Sequence, residues 1–478
     1  MIISLDVGTS SARAGLYDSD GRPVKGCFHQ EGYLAATTAD GGSEHDPHHL
    51  LAAVVTCLDR VLSTPPRSPI LGVGVTTFWH GLLGFDGASR PVTPVFTWAD
   101  TRARGAAREL QEALGDDAIH ARTGCHLHPC YWPAKLRWLR QARSDDFRRV
   151  IRWGSVGEYL QLTFFGEAAT SVSMASGTGL FDQERQSWDA RVLSAAGIDE
   201  EQLFTLCDRD EGQRGLRSDW GRRWPSLATA PWFPAVGDGA ASNVGSDCVD
   251  GTRVALNVGT SAALRVVTER PLPPPRGLWC YRIDRRRPLL GGATSEGGNV
   301  YAWLRSILHL PDHDQLDAVL GGQEPDTHGL TVLPFVAGER SPGWRSERRA
   351  SMAGLSLATS AADIVRAALE AVAMRLAIVY DLLAPLAAAD HTIVASGGAL
   401  IRSRAWTQII ADVLGRPLVL SGEEEATSRG GALLALESLG RRLAPTRAPG
   451  GQTVEPDIAR HARYLEARAR QRRLDQRI

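Results

Sequence analysis

The 478-residue chain holds almost no lysine: of its 53 basic residues only Lys25 and Lys135 are lysines, and the other 51 are arginines. A Walker A loop needs Gly-Lys-Ser/Thr, because its lysine reaches the β- and γ-phosphates. Neither lysine has that context, so a P-loop kinase is excluded. CxxC pairs are missing as well: the seven cysteines stand at 27, 57, 125, 130, 207, 248 and 280. An odd count without metal spacing reads as reduced thiols, and with no secretory leader the expectation is a cytoplasmic protein. No apolar run nears the roughly 18 residues that span a bilayer. With a net charge of −1, nothing global draws the chain to nucleic acid or to an anionic membrane. The length allows about two to four domains.

What the chain does have is a repetition. Leu5-Asp6-Val7-Gly8-Thr9-Ser10 returns as Leu256-Asn257-Val258-Gly259-Thr260-Ser261, 251 positions later, each time after an apolar β-like run. Internal similarity of this kind precedes other fold reasoning. The first copy opens IISLDVGTSSARAGLYDSDGRPVKGCFHQ, whose Gly/Asp punctuation predicts an antiparallel three-strand meander. In EHDPHHLLAAVVTCLDRVL the His45-Asp46-His48-His49 cluster has a simple explanation: Asp46 caps a helix that Pro47 opens. ILGVGVTTF is a buried strand ending at Trp79-His80. The text turns irregular over residues 205 to 232, which places a boundary near residue 230 and two domains at 1–230 and 231–478. The second half runs through the proline-rich turn PLPPP to a long helix started by Ser360 and Asp363 in a capping box. HTIVASGGAL then reads as a strand into a glycine turn, SRAWTQIIADVLG as a helix closed by Gly415, and RPLVL as a strand. The arginine-rich tail reads as a solvated terminal helix.

A tight turn holding Gly-Thr-Ser between strands presents backbone N–H groups and hydroxyls on one concave side, an anion nest suited to polyphosphate. Two such turns, one per half, can grip one phosphate chain across a cleft. Asp6 differs from its counterpart Asn257 by a full charge, and a carboxylate among phosphates suits Mg²⁺, which prefers oxygen ligands and keeps much of its water. Two ordinary glycine hairpins are the plainer alternative.

Asp6-x-Gly8-Thr9-Ser10-Ser11, TWADTR (97–102), GDGAASNVG (237–245), NVGTS (257–261), AGERSP (337–342), GLSLATSAADIVRAALEAVA (354–373) and SGGA (396–399) together resemble the FGGY carbohydrate kinases over nearly the whole chain. The resemblance implies an α/β, duplicated ribonuclease-H-like fold, shared with actin, hexokinase and the heat-shock ATPases, with two domains around a central cleft. It implies ATP and Mg²⁺, with a sugar or sugar acid as the small-molecule partner. Neither nucleic acid nor membrane is expected, and a homodimer is left open.

Phosphoryl transfer to a hydroxyl needs in-line geometry, charge neutralisation and a carboxylate that accepts the proton. By the resemblance that base is Asp238, with glycine neighbours read as room for a close substrate. Gly8, Thr9, Ser10, Gly259, Thr260, Ser261, Gly397 and Gly398 inherit the nucleotide contacts, and Asp6 the metal. For the sugar, convergent polar groups against an aromatic wall point to His80, Trp98, Asp100, Arg102, His128 and Asp238, although Asp100 and Arg102 read equally as an ion pair. Trp79 stands where related ketose kinases show methionine, and Cys130 and Trp132 also depart from the family pattern. Arg-Thr-Gly with His128-Pro129 resembles the gluconokinase branch, so D-gluconate is the expected substrate. A xylulokinase or other ketose or polyol kinase is the alternative within the family. A nucleotide-binding regulator, which needs the turns but no base, is the alternative outside it.

Overall fold

The computed structural model describes residues 1–64, 68–269, 273–441 and 451–478. The first two residues of PLPPP therefore lie outside the described residues. Strands Ile2–Val7, Ser11–Tyr17 and Pro23–Gly32 form the expected antiparallel meander. Ile2–Val7 also pairs in parallel with Gly72–Thr77, and that strand pairs with Val236–Gly237. In a second sheet Arg253–Val258 and Ala262–Val267 form the central hairpin, continued by Pro288–Thr294 and Trp279–Arg282. On its other side Arg253–Val258 pairs in parallel with Thr392–Ser396, and then Leu418–Leu420. Each sheet thus has a hairpin at its centre and parallel strands on one side of it. The repeat in sequence is a repeat in topology, the duplicated ribonuclease-H-like α/β fold with a cleft between its halves.

The central strands are buried on both faces: every residue of Ile2–Val7 and of Gly72–Thr77 is buried, the polar Ser4, Asp6, Thr76 and Thr77 included. Helices cover them, as parallel strands require. Asp46 accepts from the His48 N–H at 2.8 Å and Pro47 opens helix Pro47–Leu62, so the histidine cluster there is a helix start. Ser360 and Asp363 close a reciprocal capping box on helix Ala361–Leu383, and Gly415 ends helix Arg404–Leu414 at φ 62°.

Two expectations need correction. The first sheet continues past residue 230, because Val236–Gly237 is one of its strands. Helix Asp238–Gly245 stays with it and packs on helix Ala426–Ser438, which comes from near the end of the chain and lies on strands Ile2–Val7 and Gly72–Thr77. The two helices meet backbone to backbone. A Cβ on Gly245 would stand 1.7 Å from the Ala426 carbonyl oxygen, and one on Gly430 would stand 1.8 Å from that of Ala241. The chain therefore crosses to the second sheet after residue 245 and returns before residue 426. The terminal helix Ile458–Arg477 is docked rather than solvated: Tyr464, Ala467 and Gln471 are buried, and Asp475 takes ion pairs from Arg345, Arg348 and Arg375.

The edge of the second sheet leans on the first half. The Cys280 N–H donates to the Gly124 carbonyl at 2.9 Å, and the Arg282 N–H donates to Ser176 Oγ at 2.9 Å. An open edge is a pairing hazard, and here it helps hold one side of the cleft closed.

Candidate active site

Between the sheets lies a cleft of about 450 Å³. Both Gly-Thr-Ser turns reach it: Gly8, Thr9 and Ser10 line one side, and Gly259, Thr260 and Ser261 the other. Each turn is closed by its glycine, but the reach differs: the Gly8 N–H donates three residues on, to the Ser11 carbonyl, and the Gly259 N–H two residues on, to the Ser261 carbonyl, both at 2.9 Å. Ser10 and Thr260 are exposed at the tips. Thr9 Oγ1 accepts from Trp98 Nε1 at 3.2 Å, which leaves its own O–H free to donate. Concave N–H groups with free hydroxyls on opposing turns are anion donors.

Asp238 also lines the cleft, as the first residue of helix Asp238–Gly245. Burial pushes its carboxyl up to about 6; Arg265 pulls against the shift, and Asp6 adds to it. A base poised near neutrality suits proton abstraction. The flanking glycines, expected to admit substrate, serve the protein instead. A Cβ on Gly237 would meet the Trp79 ring at 1.9 Å, and one on Gly239 would meet that ring at 2.6 Å and Arg265 Nε at 3.0 Å. Trp79 lies against this segment and donates its indole N–H to the Ser173 carbonyl at 3.0 Å. The tryptophan that departs from the family pattern thus floors the cleft.

His80 follows it with φ 69°, a left-handed conformation uncommon outside glycine. Its Nδ1 stands 2.6 Å from the Gly177 carbonyl, which fixes Nδ1 as the protonated nitrogen. Burial holds the ring neutral by lowering its pKa to about 3, so Nε2 is an acceptor for a hydroxyl. Around it stand Tyr131 and Tyr281, whose hydroxyls meet at 2.6 Å, and Trp279, stacked on Tyr281 with centroids 4.0 Å apart. Beneath this wall Lys135, 1% exposed, donates to the Cys130 carbonyl at 2.5 Å and the His80 carbonyl at 3.3 Å. Burial lowers its pKa to about 8.

Several residues singled out in the sequence lie elsewhere. Asp100 and Arg102 pair with each other, Arg102 also reaches Glu44, and neither lines the cleft. Of their two sequence readings the ion pair is the one the geometry supports. His128 faces a separate cavity of about 340 Å³ across Trp344, its pKa lowered to about 3 by burial, and so carries no charge. Gly397, at φ 106°, packs so closely that a Cβ would stand 2.4 Å from the Val258 carbonyl oxygen just before the second Gly-Thr-Ser turn; neither it nor Gly398, which lies by Arg402, lines the cleft. Asp6 is 1% exposed, accepts from Thr76 at 2.8 Å and Arg13 at 3.0 Å, and lies behind the cleft wall. Sequence reasoning missed Arg265 and the aromatic wall of Tyr131, Trp279 and Tyr281. Arg340 of the AGERSP motif also lines the cleft, its guanidinium covering the Trp98 ring at 4.6 Å. A signal for Arg265 was present, since it is the single charged residue of the apolar strand AALRVV.

A further cavity, about 280 Å³, opens beside the second turn and is lined by Gly298, Tyr301, Leu369, Ala399 and Trp406 among others. Gly298 N–H donates to the Gly259 carbonyl at 2.7 Å, so pocket and turn share a wall. Among the described residues, the one group of three His/carboxylate side chains with metal-like spacing is Asp326, His328 and Glu370. Its atoms are engaged by Arg470, Arg366 and Tyr464, which makes it a structural network.

The sequence model of the FGGY family of carbohydrate kinases, N-terminal domain, matches residues 1–245, and that of its C-terminal domain matches residues 254–439. A gluconokinase of Bacillus subtilis (strain 168) is 26% identical over 452 residues, covering 92% of this chain and 88% of its own. The crystal structure of gluconate kinase from Lactobacillus acidophilus superposes with a TM-score of 0.90 at 26% identity, over 99% of this chain and 97% of that one. Ligand-bound xylulose kinase from the same organism gives a TM-score of 0.91 at 26% identity and the same coverage.

Proposed function

The chain belongs to the FGGY family of carbohydrate kinases, and we propose that it transfers a phosphoryl group from ATP to D-gluconate, giving 6-phosphogluconate, with Asp238 as the general base. The observation that carries the reading is Asp238 itself, a carboxyl poised near pH 6 in the same cleft as both phosphate turns. The turns hold the phosphate chain from two sides, and the adjoining apolar pocket is sized for the adenine base. His80 Nε2 and the two tyrosine hydroxyls orient the acceptor against the Trp79 and Trp279 rings. Asp238 then accepts the proton of the attacking hydroxyl as the phosphoryl group moves across.

Magnesium fits this donor set. Asp238 presents a carboxylate at the cleft wall and would hold the ion with its retained waters, while Asp6, with its oxygens on Thr76 and Arg13, stands behind that wall. Bound with ATP, the ion supplies neutralisation of phosphate charge. All seven cysteines are free thiols, which supports a reducing compartment such as the cytoplasm.

Gluconate is favoured by similarity to the gluconate enzymes, while the equal likeness to xylulose kinase keeps a ketose as the second reading. A coupled ADP-release assay with gluconate, xylulose, ribulose and glycerol tests both. Highest kcat/KM with gluconate is expected. Turnover of xylulose without gluconate would replace the first reading with the second, and no turnover with any acceptor would refute the kinase.

A further inference from the structure

Selectivity for an acid over a neutral sugar needs a cation where the acid's carboxylate lies. The sequence offers Arg102, His80 and His128, and the structure disposes of all three: Arg102 is paired outside the cleft, and both histidines are neutral.

Arg265 is different. Side chains alternate along a strand, so Ala263 and Arg265 share the face of Ala262–Val267 that lines the cleft. Arg265 Nε and Nη1 are buried and have no hydrogen-bond partner. No carboxylate pairs with it among the described residues, although Asp238 is its strongest attractive neighbour and Arg340 repels it. Guanidinium groups in protein interiors are paired as a rule, because an unmet buried charge is costly. The molecule nonetheless makes room for this one, since Gly239 lacks the side chain that would occupy its place.

Position along the strand tells which ligand it serves. Arg265 stands four residues beyond Ser261, about 13 Å from the second phosphate turn at the rise of a strand. It belongs to the acceptor end. Three arginines line the cleft: Arg13 is spent on Asp6, while Arg265 and Arg340 face the single acid Asp238. Arg340 is partly satisfied, donating to the Thr294 carbonyl at 2.7 Å and lying on Trp98. The acceptor end thus keeps open N–H donors on Arg265.

We propose that Arg265 is the specificity-determining residue of the acceptor site and that it receives the carboxylate of a polyhydroxy acid. The proposal rests on the gluconate reading above and deepens it. A guanidinium matches a carboxylate with two parallel donors, whereas a neutral polyol leaves the charge unmet.

The test needs no mutation to begin. Gluconamide has the shape of gluconate without the charge, so wild-type KM should be about 10- to 100-fold higher for the amide than for the acid, the range of a hydrogen bond to a charged group. In Arg265→Met that difference should collapse, and the gluconate-to-xylulose ratio of kcat/KM should fall by a similar factor while KM for ATP changes little. Arg265→Lys should recover part of the ratio. The variants' ATP affinity reports that they fold, and the wild-type amide comparison stands even where one does not. Equal wild-type KM for acid and amide would overturn the proposal, as would an Arg265→Met enzyme that keeps its acid preference or loses kcat equally with acid and neutral acceptors. A wild type that prefers gluconate but fails these comparisons refutes only the role of Arg265. A wild type that ignores gluconate refutes the gluconate reading itself.

Discussion

Replacing Asp238 by Asn removes a charge that the fold bears at a cost. The carboxyl lies near 3.8 when solvated and is pushed up to about 6 in the folded protein, chiefly by burial, with the attraction of Arg265 already counted. Between those values the folded state holds a proton that the unfolded chain has released, so this group's contribution to stability declines as pH rises from about 4 to about 6. Above that window the ionised carboxylate costs about 3 kcal/mol, from 1.36 kcal/mol per pH unit of displacement. Asn imitates the protonated form. Asp238→Asn should therefore be more stable than wild type by about 3 kcal/mol at pH 7.5, and the two should converge below about pH 4. Denaturant unfolding followed at both pH values measures this. Turnover should meanwhile fall at least 100-fold, the usual contribution of a general base being about 10²–10⁴. In the wild type kcat/KM should lose activity on the acid side near pH 6, as the base protonates. A variant less stable than wild type at pH 7.5, or a stability difference that ignores pH, would refute the account of Asp238 as a desolvated base. Stabilisation with activity retained above a tenth would refute its catalytic role.

Thr9→Val and Thr260→Val should each raise KM for ATP about 10- to 100-fold, since each removes a hydroxyl donor to a charged oxygen; an effect in only one variant would mean that only one turn holds phosphate. Lys135→Met removes the ammonium that ties the His80 and Cys130 carbonyls together, and acceptor KM should rise about 10-fold on loss of a charged hydrogen bond while KM for ATP stays put. Equal changes in both constants would show a general rather than a local role. Gly430→Ala drives a methyl group into the Ala241 carbonyl and should cost about 3 kcal/mol, at the top of the usual over-packing range; unfolding midpoints unchanged from wild type would contradict the tight packing of the two helices.

What the sequence made legible was local. The hairpins that carry the two Gly-Thr-Ser turns, the N-cap at Asp46, the capping box at Ser360 and the helix stop at Gly415 are written in contiguous residues, and each formed as read. Asp238 was legible only through the resemblance; nothing in an Asp-Gly pair by itself separates a base from a turn. The sugar side was hard for a physical reason. Tyr131 and Tyr281 meet hydroxyl to hydroxyl from positions 150 apart, and Arg340 crosses the cleft to Trp98. Such pairings depend on how two lobes dock. Asp100 and Arg102, two apart, attracted attention as polar candidates but satisfy each other. The glycines around Asp238 were ascribed to the substrate because Trp79, which fills their space, stands more than 150 residues earlier in the chain, in the turn after the neighbouring strand Gly72–Thr77.

The return of helix Ala426–Ser438 to the first sheet has a consequence for synthesis. When the ribosome has completed residue 245, every strand of that sheet exists, yet the helix that covers Ile2–Val7 and Gly72–Thr77 has not been made. Roughly 190 further residues must emerge, which at about 5–20 residues per second takes on the order of 10–40 s. Throughout that interval Ile2, Tyr17 and Phe233 lack Ala432, Ala435 and Leu436, the partners they are buried with in the finished protein. The amino-terminal half therefore cannot bury these side chains as it does in the finished protein until the carboxy-terminal part of its own message has been read.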